Sequence, residues 1–139
     1  MRTKFIIGVM MLFASVALCG CGTKIIDYRH YYSEWELINN SSYDLEIKHD
    51  DNHRELIIPK GETSTIPQVE SIGEPYTQKE VTKTPFNANP AVILNNGERE
   101  VTCPAISDVA NYSVTEVKDS PDPDLLYRFT YTFTDADFE

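Results

Sequence analysis

The chain has 139 residues with 12 basic and 22 acidic side chains, a formal net charge of −10 and a sequence pI of about 4.7. Phosphate contacts need clustered Lys and Arg, and here the basic residues are scattered among acidic ones, so the composition predicts no nucleic-acid partner. The same acidic balance disfavours adhesion to anionic lipid by charge alone.

The first 21 residues have the pattern of a secretion signal that ends in a lipid-accepting cysteine. Arg2 and Lys4 form a positive region, and residues 5–18 are an apolar run shorter than the ~20 residues of a membrane-spanning helix. The letters LCGC at 18–21 match the bacterial lipobox, in which an aliphatic residue stands three places before the cysteine and a small residue stands directly before it. We therefore predict cleavage after residue 20 and lipidation of Cys21.

These boundaries divide the chain into three parts. Residues 1–20 are the signal peptide, residues 21–30 the lipidated N-terminus and a short tether, and residues 31–139 one folded domain. The mature chain keeps 119 of the 139 residues, and the loss of two basic residues moves its net charge from −10 to −12. Cys103 is the one cysteine left unmodified, so no intramolecular disulfide is available. Its strand-like surroundings predict a buried, inert thiol, with a nucleophile or an intermolecular disulfide as the alternatives.

Apolar and polar residues alternate over several short stretches after residue 30, which is the period-two pattern of half-buried strands. The first four predicted strands cover residues 31–37, 43–48, 55–58 and 63–69. Pro67 in the fourth strand removes a backbone donor and so predicts an edge or a bend and not a central position. Residues 70–89 contain Gly73 and two prolines with little periodicity, and we predict a long loop there.

A hairpin is predicted in the second half of the chain. Asn95-Asn96-Gly97 separates two strand-like stretches, residues 91–94 and 98–103. Asn and Gly accept the positive φ that a tight type I′ turn requires, so this pattern predicts two strands joined by such a turn.

The last strands complete the predicted fold. A strand at 112–118 precedes one at 126–134, whose aromatic residues share one face, namely Tyr127, Phe129, Tyr131 and Phe133. No stretch after residue 24 shows a sustained helical period. Seven or eight short strands with turn signals between them predict an all-β fold, specifically an antiparallel immunoglobulin-like β-sandwich over residues 31–139, with a small barrel as the alternative.

Five stretches carry a resemblance to a known group of proteins. They read LCGC, WELINNSSYDLEI, ELIIPKGE, VILNNGEREV and YRFTYTFTDADFE. In these stretches the chain resembles the small β-sandwich lipoproteins, mostly uncharacterised, that are abundant in anaerobic gut bacteria. The resemblance implies the fold and an envelope location and no particular activity. An acidic run follows the cysteine in surface-exported members, whereas residues 22–26 read GTKII, which favours a periplasm-facing protein.

Two groups of residues have types that bind metals. His49 and His53 stand four apart beside carboxylates, a spacing that would place both on one face of a helix as zinc ligands. The flanking strands favour a hairpin loop instead, so we interpret the pair as solvated and predict no metal site. Asp119, Asp122 and Asp124 offer the oxygen ligands that calcium prefers, but they lack EF-hand register and are interpreted as a solvated loop.

The motifs of common enzymes do not occur in this sequence. It contains no G-x-S-x-G nucleophile elbow, no Gly-rich phosphate loop and no pair of cysteines at metal-ligand spacing. We therefore predict a protein that is not an enzyme, with no catalytic residue and no cofactor.

Aromatic residues are concentrated close to the predicted lipid site. Tyr28, Tyr31, Tyr32 and Trp35 occupy this region, where rings can contact lipid headgroups or stack on a sugar. The period-two alternation favours a core position for Tyr31 and Trp35.

Together these patterns predict a non-enzymatic, lipid-anchored module of the cell envelope. Its partners are the membrane, through the lipid on Cys21, and another envelope protein, and its location is the outer membrane facing the periplasm. The alternative is a small-ligand module for glycan or metal that uses the loops around His49, Gly73 or Asp119.

Overall fold

The computed structural model of the protein describes residues 28–48 and 55–139. In this part the chain is all-β, with eight strands, five short 3₁₀ turns and no α-helix. The predicted lipidation site Cys21 and the histidines His49 and His53 lie outside the described residues, as does the predicted signal peptide.

The strands follow the predicted order along the chain. They are β1 (His30–Asn39), β2 (Leu45–Lys48), β3 (Glu55–Ile58), β4 (Thr63–Ile72), β5 (Ala91–Leu94), β6 (Arg99–Thr102), β7 (Ser113–Glu116) and β8 (Leu125–Phe133). Eight strands at these positions confirm the predicted count, and the main change is that β4 runs three residues further than expected. Period-two alternation was therefore sufficient to locate the strands.

The eight strands form two four-stranded sheets around one core. The first sheet has the order β4-β1-β8-β7 and the second has the order β3-β2-β5-β6. Every pair is antiparallel except β1 with β8, which run parallel, so the prediction of a purely antiparallel sandwich is wrong at this pair. Parallel neighbours need a long crossover, and almost the whole domain lies between these two strands. The order also differs from that of constant-type immunoglobulin domains, whose sheets are A-B-E-D and C-F-G.

Aromatic residues of β1 and β8 form the centre of the core. Trp35, Phe129 and Phe133 are fully buried, which confirms the core face predicted for β8. The Trp35 ring stacks on Phe129 with centroids 4.3 Å apart and meets Tyr112 edge to face at 4.9 Å. Burial of each such side chain stabilises the fold by roughly 1.5–3 kcal/mol, so this cluster holds the two sheets together.

The position of Pro67 follows from the hydrogen bonding of its strand. β4 pairs only with β1 and is the edge of the first sheet, as predicted. Asn39 donates to the carbonyl of Glu62, and in an antiparallel pair alternate residues turn toward the partner. Pro67 is an odd number of positions from Glu62, so its nitrogen faces the free edge. The missing N–H of Pro67 therefore removes no hydrogen bond between β4 and β1. It does remove a donor from the free edge of β4, where another strand would have to pair.

The segment 73–90 is the long connection predicted from the sequence, yet it supplies part of the core. Tyr76, Val81 and Phe86 are buried, and the Tyr76 ring lies 5.5 Å from that of Tyr127. The strands of the second sheet have four residues, about 13 Å, whereas β1 has ten, about 33 Å. The second sheet is therefore too short to cover the first, and this segment covers part of what remains.

The predicted hairpin of β5 and β6 is confirmed, but its turn is longer than predicted. Four residues connect the paired Leu94 and Arg99, and φ is positive at Asn95, Asn96 and Gly97 (49°, 56° and 102°). The prediction of a two-residue type I′ turn is therefore wrong. Asn95 instead bonds to Asp44 twice, through its backbone N–H (2.9 Å) and its side-chain oxygen (3.1 Å), which ties the turn to the connection between the two sheets.

Candidate functional site

An open groove lies on the outer face of the first sheet, over β1, β8 and β7. Its volume is about 610 Å³. Charged and polar side chains supply most of its lining, namely Tyr32, Glu34, Thr115, Lys118, Asp119, Ser120, Asp122 and Arg128. The connection between β7 and β8 forms one wall, so the groove lies where β1 and β8 begin.

The sheet register positions the floor of the groove. Trp35 points into the core, so its neighbour Glu34 points outward by the alternation of a strand. Arg128 lies opposite Glu34 on β8, and Thr115 lies opposite Arg128 on β7. The three outward side chains therefore form one row across three strands. The backbone hydrogen bonds between the strands fix the spacing of these side chains in the absence of a ligand or partner.

Glu34 and Arg128 form the ionic centre of the groove. One carboxylate oxygen of Glu34 accepts from Arg128 Nη2 at 2.7 Å and from Nε at 3.1 Å. This contact raises the pKa of Arg128 above its ordinary value. Both side chains remain partly exposed, so the pair is worth no more than about 1 kcal/mol to stability. Its main effect is to present a donor-rich guanidinium in a fixed orientation.

Tyr32 and Asp122 form the second polar pair. The Tyr32 hydroxyl donates to Asp122 at 2.5 Å, and the N–H of Asp124 donates to the other carboxylate oxygen at 2.9 Å. The Tyr32 hydrogen bond, followed by the Asp124 N–H, holds the pKa of Asp122 below its ordinary value. The same bond and, next, burial raise the pKa of Tyr32 to about 12. Near neutral pH the pair is thus a neutral phenol and a carboxylate.

The wall of the groove is attached to the first residues of β1. Asp124 accepts a backbone bond from Tyr32 at 3.0 Å and forms an ion pair with Arg29 at 2.9 Å. Asp119 is exposed, as the solvated-loop interpretation expects, whereas Asp122 and Asp124 are half-buried and engaged with these partners. In the part of the chain that the structure describes, no group of three His, Cys, Asp or Glu side chains is arranged to hold a metal ion.

The other residues singled out from the sequence have separate positions. Cys103 is buried, as predicted, and burial raises its thiol pKa, which suppresses the reactive thiolate. Trp35 is buried and Tyr31 packs against the core, in agreement with the prediction, while Tyr28 is exposed. Gly73 bonds to Arg29 at 2.8 Å and so lies close to the groove wall.

Sequence reasoning did not identify the groove. Tyr32 was noted only as one of the aromatic residues near the predicted lipid site, and Asp119 and Asp122 only as calcium-type ligands. No motif marks Glu34 or Arg128. One signal was available in the sequence. Tyr32 and Glu34 alternate with the predicted core residues Tyr31 and Trp35, so both must lie on the outward face of the strand. The pairing of β1 with β8 brings Glu34 next to Arg128, although the two residues are 94 positions apart along the chain.

The resolved pKa shifts define the charge states of three side chains in the groove. The pKa values of Arg128 and Tyr32 are shifted upward and that of Asp122 downward. Near neutral pH these groups are therefore a guanidinium cation, a neutral phenol and a carboxylate.

Comparison of the chain with protein-family models, with curated proteins and with solved structures finds no match. In the described residues, no helix is both long and apolar enough to span a membrane.

Proposed function

We propose that this protein is a non-enzymatic, lipid-anchored module of the cell envelope that binds another envelope component through the groove. The observation that supports this most strongly is the row of outward, oppositely charged side chains fixed by the register of β1, β8 and β7. In this proposal the protein is held at the outer membrane by lipid on Cys21 and faces the periplasm. Its likeness to immunoglobulin domains is one of two-sheet architecture and does not extend to strand order.

The anchor is supported by the lipobox and by the short distance to the domain. β1 begins at His30, nine positions after Cys21. A chain of that length reaches at most about 30 Å, so the proposed lipid would hold the groove close to the bilayer. Two or three acyl chains give stable anchoring, at about 0.8 kcal/mol per buried CH₂.

The shape and charge of the groove favour a protein partner over a small ligand. Its volume falls in the range of small-molecule pockets, but such pockets are concave and mostly apolar, whereas this groove is open and five of its eleven lining residues are charged. Charges of both signs in fixed positions give specificity toward a complementary protein surface. Side chains that are already ordered also lower the entropy cost of association.

The alternative, a glycan or metal module, is favoured by one observation: the Gly73 loop and the 119–124 loop both contact Arg29, directly before β1. Melting of the protein lacking residues 1–21 tests it, because ligand at a hundred times its Kd adds about 2.7 kcal/mol. We expect no shift with zinc, calcium or simple glycans. A zinc-dependent rise that is abolished by His49→Ala with His53→Ala would favour the metal site, and a rise with one glycan would favour the glycan site.

The anchor is tested by substitution of the two leader cysteines. Cys21→Ala should leave the protein unprocessed or move it to the soluble fraction, because no other cysteine follows a complete lipobox. Cys19→Ala is the matched control and should change little. Acyl labelling that persists in Cys21→Ala would contradict the assignment.

The groove is tested by photocrosslinking in intact membranes. A photoreactive residue replaces Thr115 in the groove or Glu100 on the outer face of the second sheet, both exposed on four-residue edge strands. We expect one discrete crosslinked partner from position 115 and none from position 100. Arg128→Ala should remove that product. Equal products from the two positions would contradict a groove-specific partner.

A further inference from the structure

Exposed apolar side chains are concentrated at one corner of the first sheet. Among the described residues, four large apolar side chains are mostly exposed: Tyr28 (69 %), Ile57 (65 %), Ile72 (61 %) and Val69 (55 %). Ile57 lies on β3 of the second sheet, and the other three lie near the start of β1. We call Tyr28, Val69 and Ile72 the corner patch.

The register of β1 and β4 brings the corner patch together. Val69 lies opposite Tyr32, and Ile72 lies opposite His30. Residues three apart on a regular strand face opposite sides, but a bulge adds one residue to β4 between these two pairs. Both side chains therefore share the outer face. The N–H of Gly73, which follows Ile72, donates to the carbonyl of Arg29, which follows Tyr28. This bond holds the chain at Tyr28 beside the end of β4.

We propose that the corner patch rests on the bilayer surface to which the protein is anchored, with its side chains among the headgroups of zwitterionic phospholipid. This inference depends on the proposed lipidation of Cys21. Tyr28 follows Cys21 by seven positions, which limits their separation to about 25 Å. Because the lipid anchor already holds the protein within this distance of the bilayer, the local concentration of lipid at the patch is high. A small apolar patch can therefore contact the bilayer without a high intrinsic affinity for it.

The chemistry of the patch matches the interface of a bilayer. Tyrosine rings and aliphatic side chains partition to the headgroup region. Glu74 follows the patch in the chain, Asp124 is paired with Arg29, and the predicted mature chain has a net charge of −12, so an anionic surface gains no net attraction from this protein. Zwitterionic lipid is therefore the partner that the charges permit.

A protein partner fits the same corner less well. A stable protein interface needs about 20–30 residues on each side, and the corner patch has three. Addition of a strand to β4 would need a continuous free edge, which Pro67 interrupts. Tyr32 lies opposite Val69 and also lines the groove, so the patch and the groove adjoin on the outer face of the first sheet.

Spin labels on the acylated mature protein, residues 21–139, in phosphatidylcholine vesicles test this contact. Ile72→Cys carries the label in the patch, and Ile57→Cys is the matched control on the second sheet. Lipid blocks Cys21 in this protein, and Cys103 is buried. We expect the label at 72 to collide several-fold less often with a water-soluble nickel chelate than the label at 57, and more often with oxygen dissolved in the bilayer. Unchanged melting of both labelled proteins shows that each is folded.

The outcomes separate this inference from the anchor. Equal nickel accessibility at 72 and 57 in protein that floats with the vesicles would overturn the membrane contact and leave the anchor intact. Failure of the unlabelled mature protein to float would overturn the anchor itself. Anionic lipid should reduce the protection at 72, and greater protection there would show that charge, and not the apolar patch, makes the contact.

Discussion

The two ends of the sandwich use polar side chains in different ways. At the closed end, where β1 and β8 finish, the fully buried Asn39 donates to the carbonyls of Tyr43 and Ile58, each at 2.8 Å. Its side-chain oxygen accepts from both the N–H (3.1 Å) and the hydroxyl (2.7 Å) of Ser41. Every polar atom of this amide is therefore occupied by a neighbour within the domain.

The C-terminal turn completes the closed end. Asp135 accepts from the N–H and hydroxyl of Ser42, and Asp137 accepts from the Thr134 N–H at 2.8 Å. Phe138 is buried by this turn and stacks on the core ring of Phe133 at 5.9 Å. The last residues of the chain are thus part of the core.

At the open end, where β1 and β8 begin, the polar side chains bond mainly to one another near solvent. Glu34 pairs with Arg128 and Tyr32 pairs with Asp122, and all four line the groove. The contrast teaches that polar groups which satisfy buried backbone stabilise the fold, whereas partly exposed pairs contribute little stability and stay available to a partner.

The largest expected effect concerns the core that both ends share. Phe129→Ala should lower the free energy of unfolding by about 3–5 kcal/mol, because it removes a fully buried ring that stacks on Trp35. Denaturant unfolding measures this loss, and hydrogen exchange should show both ends losing protection together. Loss at one end alone would show that the ends unfold independently.

The control for that substitution is Thr132→Ala, which should stay within about 0.5 kcal/mol because the side chain is exposed. Thr130, on the same face, is a poorer control since it is half-buried and its hydroxyl donates to Glu36 at 3.0 Å. Equal shifts for Phe129→Ala and Thr132→Ala would contradict the assigned faces of β8.

The next effect tests the closed end. Asn39→Ala should cost about 3 kcal/mol, because it removes the amide donor to the carbonyls of Tyr43 and Ile58 and the acceptor of two bonds from Ser41. Asn40→Ala is the adjacent, exposed control and should cost far less. The midpoints of denaturant unfolding compare the two, and similar losses would mean that the buried network does not stabilise this end.

A smaller effect is expected at the open end. Arg128→Ala should cost less than about 1 kcal/mol, since its pair with Glu34 is partly exposed, and the loss should shrink further in high salt. Chemical unfolding at two salt concentrations measures both values. A loss as large as that of Asn39→Ala would remove the distinction between the two ends.

The last expected effect appears only at alkaline pH. The pKa of Tyr32 is raised to about 12, above its ordinary value near 10, so the folded state holds this proton more tightly. Its contribution to stability is present in full below pH 10 and is lost as the pH rises from 10 through 12.

The ultraviolet absorbance of tyrosinate at pH 11 measures the ionisation of Tyr32, after the absorbance of the Tyr32→Phe variant is subtracted from that of the unsubstituted protein. Asp122→Asn should increase the ionised fraction, because it removes the charge that accepts the hydroxyl bond. Near-ultraviolet circular dichroism confirms that the protein stays folded during the titration. An unchanged fraction would mean that the pair does not form in solution.

Local pattern was sufficient for much of the fold. Alternation over a few residues identified the strands and assigned Trp35 and Phe129 to the core, because a strand with one buried face must repeat with period two. Pro67 indicated an edge for an equally local reason, its missing donor. These features depend on neighbours in sequence, so the sequence alone determined them.

Tertiary structure decided what depends on distant residues. The parallel contact of β1 with β8, the pairs Glu34 with Arg128 and Tyr32 with Asp122, and the tie between Asn95 and Asp44 each join positions tens of residues apart. No local period encodes such a partner, because many sheet orders bury the same faces equally well. The sequence by itself determined which side chains point outward, and only the pairing of the strands determined which of them meet in the groove.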